Sequence, residues 1–168
     1  MDHLWSPWRL AYVTKSEPHT GCVFCGARDL PESESLVLFE GNTCYIVLNR
    51  YPYTSGHLMV VPNRHVATLA GLTRDEMNEV GQRTQECEVA LTEAYRPHGF
   101  NVGVNLGAPG GAGVHDHVHL HVVPRWTGDA NFMTVVGNTR VLPEELSAGA
   151  ARLRPIFARL SAAPAPKP

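Results

Sequence analysis

Seven residues, His117-Val118-His119-Leu120-His121-Val122-Val123, constrain the fold of this chain more tightly than any other stretch. Imidazole and aliphatic side chains alternate strictly there, and in an extended strand the side chains at i, i+2 and i+4 share one face. The spacing predicts a strand over 117–123 that buries Val118, Leu120 and Val122 and lines up His117, His119 and His121 on its other side. Four of the nine histidines in the chain fall between His115 and His121. Such density calls for chemistry, whereas the isolated His3, His19, His57 and His98 read as ordinary satisfied core or surface residues.

The remaining pattern supplies the elements around that strand. Leu36 to Phe39, Thr43 to Leu48 and His57 to Val61 have strand character, with Gly41-Asn42 and the segment from Pro52 to Gly56 as turns, which predicts an antiparallel meander. Thr73 and Glu76 form a capping box, and Met77, Val80, Thr84, Cys87, Leu91 and Ala94 follow at helical steps until Pro97 and Gly99. Phe100 to Leu106 is a further strand, then Gly107 to Gly113 is a glycine-dense loop leading into the histidine strand. Glu144 to Leu160 is helix-prone, with Pro155 expected to kink or restart it. Strands, a helix, strands and a late helix predict an α+β fold with helices packed on one face of a sheet. At 168 residues the chain suits one domain, 1–160, followed by an Ala/Pro tail, 161–168, that is expected to be disordered.

Composition excludes several classes of function. Fourteen basic residues against sixteen acidic ones give a formal charge of -2, so no chain-wide basic footprint exists for a nucleic-acid polymer. The apolar run Leu58 to Val61 is far short of the roughly 20 residues that a membrane span needs. MDHLWSPWRL lacks a basic start followed by an apolar stretch, which leaves the cytoplasm as the expected compartment and reduced thiols as the expected state of Cys22, Cys25, Cys44 and Cys87.

Two chemistries suit aligned imidazoles. A His-x-His pair can chelate a metal, and a neutral imidazole nitrogen can attack an electrophile such as phosphorus. Spacing alone leaves both open. Cys22-x-x-Cys25 is equally ambiguous, since it suits either a redox pair or half of a metal site; the following Gly26 and Pro/Glu/Ser loop do not resemble the strand-to-helix setting of a thioredoxin-like motif.

The seven-residue block fits the His-φ-His-φ-His-φ-φ signature of the histidine triad family of nucleotide hydrolases and transferases. Pro124-Arg125-Trp126 and Gly128 to Met133 downstream, LNRYPYTSGHLMVVPNRH at Leu48 to His65 upstream, and LWSPWRLAY at Leu4 to Tyr12 resemble the bacterial branch that includes diadenosine tetraphosphate phosphorylases. The resemblance implies the fold of that family, with about five antiparallel strands, one long helix and a C-terminal helix, and the sheet extended by homodimerisation. Phe100 to Leu106 would otherwise be a vulnerable edge. Trp5, Trp8 and Arg9 are expected over the partner subunit or the site entrance.

Carried over residue by residue, the resemblance makes His119 the nucleophile that forms a nucleotidyl-histidine, His121 a donor to phosphate oxygens, and His117 an orienting or metal-binding residue. It puts Asn105, Gly111 and Gly113 at the polyphosphate, Asn49 at the ribose hydroxyls, and Phe24 and Val47 at the adenine. It also implies a structural zinc held by Cys22, Cys25, His65 and His117. The polar Gln-Ser/Thr pair that many relatives carry before the triad is replaced by Ala112-Gly113-Val114-His115-Asp116, so backbone amides or His115 would take over its hydroxyl's role. The expected activity is cleavage of dinucleoside polyphosphates such as diadenosine tetraphosphate, by phosphate or by water. Two alternatives stand beside it: a zinc-stabilised nucleotide-binding protein without turnover, and a cupin-like metal enzyme. The latter lacks its carboxylate, since Arg125 and Trp126 occupy that stretch, and no histidine follows His121.

Overall fold

The computed structural model describes residues 21–31, 33–129 and 144–162. Within them lie a short helix α1 (Val23–Gly26), strands β1 (Val37–Glu40), β2 (Cys44–Leu48) and β3 (Leu58–Pro62), the long helix α2 (Arg74–Tyr95), strands β4 (Gly99–Val104) and β5 (Leu120–Arg125), and the helix α3 (Leu146–Ala162). The expected entry segment with Trp5, Trp8 and Arg9, the stretch Asn131 to Met133 and the end of the tail lie outside the described residues.

The five strands form one antiparallel sheet in the order β1-β2-β3-β5-β4. The first three make the expected meander, and β5 then inserts between β3 and β4. Alternation splits the sheet into two faces. Cys44, Ile46, Leu48, Leu58, Val60 and Val122 turn toward the helices, where Val80, Cys87, Leu91, Leu153 and Phe157 complete the main core. Tyr45, Val47, Met59 and Val61 turn the other way and cluster with Phe24 from α1. The helices thus occupy one face and leave the other to the site.

Helix α2 starts as its sequence predicts: Thr73 Oγ1 accepts from Glu76 N, and the Glu76 carboxylate accepts from Thr73 N, so two otherwise orphaned amides are satisfied. Arg64 ties the cap to the loop after β3 by pairing with Glu76 at 2.7 Å. Glu79, buried one turn on, accepts from the amides of Asn42 and Thr43 and from the Thr43 hydroxyl, which pins the β1–β2 turn to the helix. Gly41 in that turn has no room for a side chain, because a Cβ would stand 2.3 Å from Glu79 Oε1 and 2.8 Å from Cys44 O.

Three local expectations need correction. The histidine strand begins at Leu120 rather than His117, because Val118 N donates to Val66 O at 2.7 Å, outside the β3–β5 ladder. Helix α3 runs through Pro155 as one element and continues over Ser161 and Ala162, two residues of the expected tail; Leu153, Ile156 and Phe157 on either side of the proline are all buried, so packing outweighs the lost backbone bond. Met77 is 46% exposed despite its helical spacing with the buried Val80, Cys87 and Leu91.

Candidate active site and metal centre

Strand register assembles the site. Met59 lies opposite His121 across β3–β5, and Gly103 lies opposite His121 across β4–β5, so His121 projects from the face away from the helices. His117, in a bend, and His119 precede the strand, and His119 stays beside His121: their ring centroids are 4.8 Å apart at 75°. His117 is fully buried and His119 is 5% exposed.

Hydrogen bonding assigns the proton on each ring. A carbonyl oxygen only accepts, so the 2.9 Å contact between His119 Nδ1 and the backbone oxygen of His117 puts the proton on Nδ1 and the lone pair on Nε2. His57 Nδ1 accepts the Tyr53 amide at 3.1 Å, and its Nε2–H therefore donates to His121 Nδ1 at 2.9 Å. The neutral His121 then carries its proton on Nε2. Two adjacent rings consequently offer complementary atoms, a lone pair on His119 Nε2 and an N–H on His121 Nε2. Burial lowers the proton affinity of all three imidazoles below the ordinary histidine value; for His121, burial first and the neighbouring His119 second bring the pKa to about 4.

His57 is the residue that sequence reasoning left out of the site. It is a fully buried, satisfied core histidine, as expected of an isolated one, yet the partner that satisfies it is His121. Period-2 alternation puts His57 on the face of Met59, and only the strand register, which sets Met59 opposite His121, brings it to the site. Asn49, at the end of β2, joins the same group: its Nδ2 lies 3.3 Å from His57 Nδ1 and its Oδ1 accepts the Tyr51 amide.

Phe24 is 8% exposed and lies with its ring centroid 4.6 Å from that of His119 and 5.6 Å from that of His117. Val47 is in the same buried cluster. Asn105 follows β4 on the face of Gly103, and its Nδ2 donates to Gly111 O at 3.4 Å. The glycine loop is a built turn rather than a slack connector: Gly110 N and Ala112 N both bond to Gly107 O, and Gly111 holds φ +90°. Gly113 lies just beyond that turn.

A second constellation adjoins the first. One donor atom from each of Cys22, Cys25, His65 and His117 falls within 4.8 Å of all the others. His117 Nε2–H donates to Pro62 O at 2.9 Å, which turns the Nδ1 lone pair toward Cys22 Sγ at 3.3 Å and Cys25 Sγ at 3.6 Å. His65 Nδ1 is 3.4 Å from Cys25 Sγ, with Asp116 3.7 Å from its other nitrogen. Sulfur and nitrogen ligands of one tetrahedral zinc stand roughly 3.5 Å apart, given Zn–S near 2.3 Å and Zn–N near 2.05 Å. The donor set, its spacing and the anchored tautomer of His117 all fit such an ion. The open five-stranded sheet is not a cupin barrel, and His119 already commits Nδ1 to a carbonyl, so the cupin-like alternative is set aside.

Comparison with known proteins agrees with this geometry. The HIT domain family model matches residues 31–128. The AP-4-A phosphorylase of Mycobacterium tuberculosis is 43% identical over 154 residues, which span 87% of this chain and 79% of that protein. The bis(5'-adenosyl)-triphosphatase of Dictyostelium discoideum is 25% identical over 74% of this chain and 87% of that protein. Among solved structures, a Zn-bound histidine triad family protein from Mycobacterium smegmatis superimposes with a TM-score of 0.67 at 28% identity, covering 85% of this chain and 97% of that one. The match over more than half of the sequence, joined to the triad and the sheet that carries it, makes this chain a member of the HIT family.

Proposed function

We propose that this protein cleaves dinucleoside polyphosphates such as diadenosine tetraphosphate through a nucleotidyl-histidine on His119. The observation that carries the reading is the bond from His119 Nδ1–H to the His117 carbonyl, which leaves the Nε2 lone pair beside the N–H of His121. His119 Nε2 attacks the α-phosphorus and the bond to the departing polyphosphate oxygen breaks, releasing a nucleoside triphosphate. His121 Nε2–H bonds the phosphoryl oxygens, where charge builds up. An oxygen of phosphate or water then attacks the same phosphorus and returns the electron pair to the imidazole. The identity shared with the phosphorylase of M. tuberculosis favours phosphate as acceptor.

In this reading Asn49 holds the ribose, Phe24 and Val47 flank the adenine, and Asn105 with the backbone at Gly111 and Gly113 receives the polyphosphate. Cys22, Cys25, His65 and His117 would hold a zinc ion, whose role there would be structural, fastening α1 to the sheet. Thiolate ligands require a reducing compartment, and all four cysteines are free, in keeping with the cytoplasm. The chain works as one domain and as a homodimer paired through β4, an edge strand with Val102 53% exposed. No helix among the described residues is long and apolar enough to cross a membrane.

Incubation with diadenosine tetraphosphate, with and without inorganic phosphate, tests the proposal. ADP plus ATP is the expected product pair, AMP plus ATP would mean water is the acceptor, and unchanged substrate would leave a nucleotide-binding protein without turnover. His119→Ala is expected to bind nucleotide and form no adduct by intact mass; turnover in that variant overturns the mechanism.

A further inference from the structure

Phe24 occupies an unusual place for a residue whose only task is to meet a base. It stands between the two cysteines of the metal centre, at the middle of the short helix α1, and its ring reaches across to the nucleophile rather than into open space. The tilt between its ring and that of His119 is 47° at 4.6 Å, and the ring of His117 stands at 76° to it at 5.6 Å. Its carbonyl and the turn around it are both tied down. Tyr45 Oη donates to Phe24 O at 2.7 Å, and the amide of Gly26 donates to the carbonyl of Cys22 at 3.2 Å. A four-residue helix has little stability by itself, so the order of this turn comes from those tertiary ties and from the flanking thiols.

The nucleophile needs such a neighbour. A surface-like imidazole would turn about its side-chain bonds and exchange its two nitrogens, and each turn would break the Nδ1–H bond to the His117 carbonyl and carry the Nε2 lone pair off the line of attack. The carbonyl, the Phe24 ring at 4.6 Å and the His121 ring at 4.8 Å crowd the imidazole and oppose that rotation. We infer that Phe24 is a positioning residue for His119, held in place by the Cys22/Cys25 knuckle, so that the metal centre and the nucleophile are coupled through one aromatic ring. The inference rests on the reading of His119 as nucleophile; it differs from a base-binding role for Phe24, which would act on substrate affinity.

The test uses full-length protein with its metal, in wild-type, Phe24→Leu and Phe24→Ala forms. Nitrogen-edited NMR of the histidine rings reads the His119 Nδ1 proton directly and needs no turnover. A protected Nδ1–H signal is expected in the wild type, retained in Phe24→Leu and lost or broadened in Phe24→Ala, with metal content at one ion per chain throughout. For turnover of diadenosine tetraphosphate, kcat is expected to fall by about a hundredfold in Phe24→Ala, the order of loss for a misplaced reacting group, and to recover most of that in Phe24→Leu; a rise in KM common to both variants reports the lost adenine contact and is separate from the fall in kcat. A raised KM with unchanged kcat, or an undisturbed Nδ1–H signal in Phe24→Ala, overturns the inference. If Phe24→Ala loses its metal or does not fold, Phe24→Val decides in its place: a broadened Nδ1–H signal with lowered kcat supports positioning, and an intact signal with wild-type kcat overturns it. Failure of the underlying reading is seen separately, as turnover by His119→Ala, and leaves the NMR result standing.

Discussion

His57 and His121, sixty-four residues apart, share one proton-defined contact: Nε2–H of the first donates to Nδ1 of the second at 2.9 Å, and the direction is fixed by the Tyr53 amide on the far side of the His57 ring. Protonating His121 on Nδ1 would set two donors against each other, so His57 favours the neutral form of His121 with its proton on Nε2. His57→Ala is expected to lower kcat by about a hundredfold, the order of losing one oriented donor to developing charge. His57→Gln, whose amide N–H can reach the same nitrogen, is expected to restore part of it. Metal content should be unchanged in both. Full activity in the alanine variant would show that His121 needs no outside help to hold its tautomer.

The proposed metal centre makes a prediction about stability. Cys25→Ser replaces a soft, anionic ligand by a hydroxyl and is expected to remove the ion and release α1 from His65 and His117. The loss should lower Tm by at least about 5 °C, given roughly 2–4 °C per kcal/mol for a domain of this size. Elemental analysis and a thermal melt check both parts. A variant that melts with the wild type, or a wild type that purifies without a metal, would contradict it.

Acid sensitivity should appear at the cap of α2. The Arg64 side chain first, and the Thr73 amide after it, hold the Glu76 carboxyl at a pKa of about 2 against an ordinary 4.5. A carboxyl whose folded value is depressed contributes stability above its unfolded value and loses that contribution as pH falls through the folded one. Wild type should therefore exceed Glu76→Gln in unfolding free energy above about pH 4.5, and the gap should close progressively toward about pH 2. Urea titrations of the two proteins at matched pH measure the difference directly, and metal loss at low pH cancels between them. A gap independent of pH would mean that the carboxylate charge contributes nothing at this cap.

The site was legible in the sequence to unequal degrees. The triad showed itself because period-2 alternation is a property of adjacent residues, and the side of the chain occupied by His121 followed from it. The start of the strand did not, because it depends on Val66, far from it in the sequence, accepting from Val118. His57 stayed hidden for the same reason: its relation to His121 exists only once Met59 and His121 are brought into register. Its lone position in the sequence says nothing of that. Cys22 and Cys25 suggested half of a metal site by spacing, while His65 and His117 became their partners through a resemblance and then through geometry, since their sequence separations of 40 and 92 residues from Cys25 carry no local signal. Pro155 does not restart the helix: this strong local breaker is held inside one element by the buried residues around it.

Gly103 offers the sharpest test of where the substrate lies. It is directly opposite His121 on β4, exposed, and a Cβ built there meets no atom of the protein within 4 Å. Its φ is not in the left-handed region, so alanine brings no backbone strain. Gly103→Ala is thus expected to leave Tm within a few degrees of wild type or slightly raise it, because alanine narrows the freedom of the unfolded chain by about 0.4–1 kcal/mol. If the polyphosphate crosses this strand on its way from His119 to Asn105, the added methyl meets substrate instead of protein, and KM for diadenosine tetraphosphate should rise by about tenfold, equivalent to some 1.4 kcal/mol of lost binding. An unchanged KM would put the substrate path elsewhere on the face, away from the β4 side of His121. A large fall in Tm would mean that the methyl meets something packed against β4, and the paired strand of a dimer partner is the first candidate to examine.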